Sequence, residues 1–122
     1  MKPLTVYHYA KCSTCQLALA WLRGRKIAFV EKPIRETPPS PAELRAMLAA
    51  QGGEWRRLFN TSGLEYRAQG LAAKLPAMSD EAKLALLAGN GMLVRRPFVL
   101  GPGGVGLTGF NEQRWEEALA DG

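Results

Sequence analysis

The chain has little sulfur or imidazole to work with: two cysteines, Cys12 and Cys15, and one histidine, His8, in 122 residues. A bridge between Cys12 and Cys15 closes only a short loop and constrains the unfolded chain little, so a disulfide-stapled secreted scaffold is excluded. A structural zinc site takes four ligands, and His8, Cys12 and Cys15 supply at most three, so no metal is expected. No stretch reaches the roughly 18 apolar residues of a membrane span. The opening Met1-Lys2-Pro3-Leu4-Thr5-Val6 carries one positive charge and no apolar run of signal-peptide length. Internal repeats, low-complexity tracts and long linkers are lacking as well. These absences point to one domain over residues 1–122, in the reducing cytoplasm and away from membranes.

What is present is an ordinary globular balance, 47% hydrophobic and 22% charged, enough to bury a core without staples. The formal net charge is +5, a field that attracts anions. A solvated basic surface accounts for the same charge, since the basic residues are scattered. They do not alternate with aromatics along one stripe, so no direct nucleic-acid binding is expected.

Leu4 to Tyr9 is rich in β-branched and aromatic residues and reads as a strand. Ala10-Lys11-Cys12 forms a short loop. Leu17, Ala18, Trp21 and Leu22 then fall at helical spacing, with Gly24 placed to stop the helix. Ile27 to Val30 reads as a second strand ending near Pro33. This βαβ unit implies a parallel pair with a right-handed crossover. After Thr37-Pro38-Pro39, Ser40-Pro41-Ala42-Glu43 is a capping box that opens a helix with Leu44, Met47 and Leu48 on one face. Gly52-Gly53 ends it. Glu54–Phe59 and Leu64–Leu71 read as short helical pieces, and Ser79 caps a further helix that ends at Gly89-Asn90-Gly91. Phe98–Leu100 and Val105–Leu107 make a hairpin around Gly101-Pro102-Gly103-Gly104. Asn111 caps a last helix through Trp115. Trp21, Trp55 and Trp115 are expected in the core. The order is β-α-β, a helical insert over residues 35–92, then β-β-α.

The first strand delivers Cys12 to the start of a helix, where backbone N–H groups lack partners and the dipole is positive. Both favour thiolate over thiol there. Lys11 adds a positive neighbour, and His8 pushes in the same direction if protonated. Cys15 lies one turn deeper on the same face. That is the position of a resolving thiol, which would attack a mixed intermediate on Cys12 and close a Cys12–Cys15 disulfide. Two inert buried thiols and part of a metal site are the competing readings. His8, taken alone, also reads as a packing or hydrogen-bonding residue.

Further stretches add to Tyr7–Leu22: Leu93-Val94-Arg95-Arg96-Pro97-Phe98-Val99-Leu100, Thr108-Gly109-Phe110-Asn111-Glu112 and Asn60-Thr61-Ser62-Gly63. With them the whole chain resembles the arsenate reductase-like family. That family includes glutaredoxin-coupled arsenate reductases and Spx-type transcriptional regulators. The resemblance implies a thioredoxin-like α/β fold with a four-stranded mixed sheet and a cis Pro97 facing the cysteine loop. It implies that Cys12 is the nucleophile, that His8 is the histidine before it and that Arg96 is one of three oxyanion-holding arginines. The positions of the other two hold Ser62 and Gly109, which leaves Arg67 or Arg95 to substitute. Arg95 otherwise reads as half of an exposed basic pair. The implied activity is thiol-dependent reduction of a small oxyanion or thiol substrate, and a monomer is expected. No cofactor is bound, and glutathione and glutaredoxin serve as co-substrate and partner. The alternative, suggested by the Cys-x-x-Cys and Arg-Arg-Pro pairing, is a redox-sensing Spx-type regulator. Such a protein binds the RNA polymerase α-subunit, with Gly52 or Gly53 at the contact.

Overall fold

The computed structural model describes residues 2–120. Four strands, β1 (Leu4–His8), β2 (Phe29–Pro33), β3 (Phe98–Gly101) and β4 (Val105–Thr108), form one mixed sheet in the order β2-β1-β3-β4. β1 runs parallel to β2, with Leu4 opposite Phe29, and antiparallel to β3, with Val6 opposite Val99. β3 and β4 form the antiparallel hairpin, its turn made by Gly103 and Gly104 in the left-handed region. This is the α/β, thioredoxin-like arrangement that the resemblance implies.

Strand alternation sends side chains to two different layers. Leu4 and Val6 of β1, Val99 of β3 and Leu107 of β4 pack with Ala18, Leu19 and Leu22 of α1 (Ser13–Gly24) and Trp115 of α6 (Glu112–Leu119). Tyr7 and Phe98 point the other way. They meet Leu44 and Met47 of α2 (Pro41–Ala50), Tyr66 of α3 (Leu64–Ala68), Leu71 of α4 (Leu71–Lys74) and Leu84 and Leu87 of α5 (Asp80–Gly89). The sheet is therefore covered on both faces.

The caps form as the sequence indicates. The Ser40 hydroxyl accepts from the Glu43 N–H while the Glu43 carboxylate accepts from the Ser40 N–H. Ser79 and Asn111 accept from the amides of Ala82 and Arg114. Several expectations need correcting. β2 starts at Phe29, because Ile27 N–H is already committed to the carbonyl of Leu22. Gly24 stays helical, and the left-handed residue that turns the chain is Lys26 at φ 57°. Glu54–Phe59 yields only one 3-10 turn, Trp55–Arg57, and the piece from Leu64 splits at Gly70, which adopts φ 61°. Leu17 falls on the solvent side of α1, 63% exposed. Of the three tryptophans only Trp115 is fully buried, and Trp21 and Trp55 are half-buried.

Candidate active site

The loop after β1 closes when the Cys12 N–H donates to the Tyr9 carbonyl at 3.0 Å. Cys12 is then the N-cap of α1, with extended backbone angles (φ −94°, ψ 111°). Its sulfur stands where a serine or aspartate oxygen usually caps a helix, and Sγ accepts from the Cys15 N–H at 3.3 Å. An atom at this point faces partnerless N–H groups and the positive end of the helix dipole. Cys12 is partly exposed and Ser13 and Thr14 beside it are exposed, so the sulfur is open to a reactant.

Cys15 is one turn in and fully buried, 0% exposed. Both cysteines are free thiols. Burial pushes the Cys15 thiol up to about 12, and its bond to the Cys12 sulfur adds to that. The Tyr9 backbone amide and the positive charge of Arg96 act in the opposite direction. Cys15 therefore keeps its proton behind Cys12 and does not compete with it for reagents at neutral pH.

The Arg96–Pro97 peptide bond is cis, as the resemblance implies. The guanidinium of Arg96 lies 5.1 Å from the ring centroid of Tyr9, and Nη1 donates to the Met92 carbonyl at 3.4 Å. Its Nε is buried and has no partner among the described residues. An N–H held dry without an acceptor is costly and favours an anion that fills the place.

His8 closes β1. Its Nε2 sits 3.0 Å from a Glu31 carboxylate oxygen on the neighbouring parallel strand, and Arg23 reaches the other oxygen at 3.6 Å. Lys11 is exposed in the loop turn. Arg95 turns away from Arg96 and folds over Gly109. A Cβ built at Gly109 would lie 2.9 Å from its Nε and Nη2, so glycine there makes room for the guanidinium. Ser62 is exposed. The structure thus gathers Cys12, Cys15 and Arg96 around Tyr9, pairs His8 with Glu31, and sends Arg95 to the Gly109 side.

Sequence reasoning missed Tyr9 and Glu31. Tyr9 closes the loop through its carbonyl and lies under Arg96. Its place as the last residue before the cysteine loop was a usable signal. Glu31 reaches His8 only through the parallel register, which no short-range pattern contains. Among the described residues, no three His, Cys, Asp or Glu side chains are gathered to hold a metal. No helix among them is long and apolar enough to cross a membrane.

Residues 7–118 match the ArsC family, and the chain belongs to it. An uncharacterized protein of Bacillus subtilis, YusI, is 42% identical over 96% of this chain and 98% of its own. The arsenate reductase of Rhizobium meliloti is 36% identical over 85% of this chain and 73% of its own. The crystal structure of an ArsC family related protein from Bacteroides fragilis superposes with a TM-score of 0.87 at 38% identity, covering 96% of this chain and 99% of that one.

Proposed function

We propose that the protein is a thiol-dependent reductase of arsenate reductase type, with Cys12 as nucleophile and Cys15 as resolving thiol. The observation that carries this is the Cys12 sulfur capping α1 at 3.3 Å from the Cys15 amide, with the Cys15 thiol protonated and buried behind it.

The Cys12 thiolate displaces one hydroxide from a pentavalent oxyanion such as arsenate, and a sulfur–arsenic bond forms. Arg96, with its unpartnered Nε, holds the remaining oxygens through paired donors. Cys15 then releases its proton to solvent and attacks the Cys12 sulfur. The bonding pair leaves with arsenic, which becomes trivalent, and a Cys12–Cys15 disulfide remains. Two glutathione thiols, directly or through a glutaredoxin, take over the disulfide and restore both cysteines. A low-molecular-weight disulfide enters the same cycle, with a thiolate as leaving group in place of hydroxide. Positive charge from Arg96 helps Cys15 ionise at the step that needs it.

The experiment is arsenate-dependent oxidation of glutathione by the wild type, Cys12→Ser, Cys15→Ser and Arg96→Ala. Cys12→Ser is expected to abolish turnover. Cys15→Ser should stop at a Cys12 adduct visible by intact mass. Arg96→Ala should raise KM for the oxyanion by about tenfold, the usual scale for a lost charged hydrogen bond. Turnover that survives in Cys12→Ser would refute the reading.

A further inference from the structure

Arg95 is the shared wall of two open hollows on the Gly109 side of the molecule. One, of about 440 Å³, is bounded also by Thr108, Asn111, Arg114 and Glu117. The other, of about 340 Å³, is bounded by Glu54, Arg56, Arg57 and Thr61. Four arginines therefore line one continuous stretch of surface. Among the described residues, none of the four takes part in an ion pair. Gly109 makes the arrangement: with φ 69° and no side chain, it lets the Arg95 guanidinium settle over the backbone between the hollows. None of these residues is among the bonding or stacking partners of Cys12, Cys15 and Arg96 described above.

From this geometry we infer that the double hollow is a docking surface for an acidic peptide segment of a partner protein, laid across Arg95 with a carboxylate on each side. Guanidinium groups match carboxylates through paired N–H donors. A ligand that fills both hollows must extend over Arg95, which suits a chain better than a compact ion. Each hollow also contains its own carboxylate, Glu117 in one and Glu54 in the other. These repel the dense, regular charge of a nucleic-acid backbone but tolerate widely spaced side chains, and their oxygens accept from peptide N–H groups. Phe110, the one aromatic among the lining residues, packs edge-on against Trp115 at 4.9 Å and Trp21 at 6.1 Å, so its ring is turned toward the core contacts rather than set out as a platform for stacked bases.

The test is fluorescence anisotropy of the full chain with a fluorescein-labelled peptide of alternating Glu and Ser. Saturable binding that weakens with added salt is expected. Arg95→Gln, touching both hollows, should weaken it about fivefold, and Arg57→Gln or Arg114→Gln about threefold each, the scale of exposed charge pairs. Arg35→Gln removes the same charge from an exposed residue that lines neither hollow and should change nothing. Cys12→Ser should bind like the wild type, which separates this surface from the cysteine chemistry. Three results would each overturn the inference: equal binding of the Gln-for-Glu peptide, single-stranded DNA binding as tightly as the peptide, or Arg35→Gln weakening binding as much as Arg95→Gln.

Discussion

The two thiols share one helix turn yet live in opposite environments, and the reason lies in single contacts. Cys12 caps the helix and meets solvent, whereas the Cys15 side chain is enclosed and its backbone N–H donates to the Cys12 sulfur. Cys15 also links the fold to pH. In the unfolded chain a cysteine loses its proton near 8.5, whereas in the fold burial holds that proton up to about 12. A raised value of this kind contributes stability that is complete below the unfolded value and is lost as pH rises through the folded one. Tyr7 acts in the same direction: burial and its bond to Glu43 raise its hydroxyl, so it adds to the loss at still higher pH. The melting temperature of the wild type should therefore fall more steeply from about pH 9 to about pH 11 than that of Cys15→Ala. Parallel curves in a differential scanning experiment would show that Cys15 is not held neutral by the fold.

The elements were legible where a short-range rule fixes them. The Ser40, Ser79 and Asn111 caps and the Gly-rich hairpin turn follow from side-chain hydrogen bonding and left-handed glycine. The parallel pairing of β1 and β2 follows from the helix between them. Boundaries decided by tertiary contacts were not legible. Leu17 has the spacing of a core residue but falls on the solvent side of α1. Gly24 reads as the stop, yet the chain turns at Lys26. One long-range contact is fixed by a backbone approach: a Cβ at Gly91 would lie 1.7 Å from the Ile34 carbonyl oxygen, just past the end of β2. Neither partner is a side chain that can swing away. Gly91→Ala is expected to cost about 3 kcal/mol or more, a drop in melting temperature of roughly 10 °C. A chemical denaturation curve that matches the wild type would show that the segment before β3 moves freely.

At the scale of the whole molecule, the sheet is a partition. Its α1 and α6 face holds the helix that carries the cysteines, and its other face is filled by the helices between β2 and β3. The cysteine loop and the Arg96–Pro97 turn come from distant parts of the sequence and meet because β1 and β3 are neighbours. That meeting was legible only through the resemblance, since no local pattern brings residue 96 beside residue 12. Tyr9 and Glu31 stayed hidden for the same reason, because their roles exist only once strands are paired. The proposed chemistry needs the Cys12 sulfur to be an open nucleophile at the helix start in front of a quiet Cys15. Iodoacetamide alkylation at neutral pH, followed by peptide mass mapping, measures this directly. The expected result is rapid modification of Cys12, faster than a cysteine in the same chain unfolded in urea, with Cys15 untouched until the protein unfolds. Modification of Cys15 first, or of Cys12 no faster than in the unfolded chain, would contradict it.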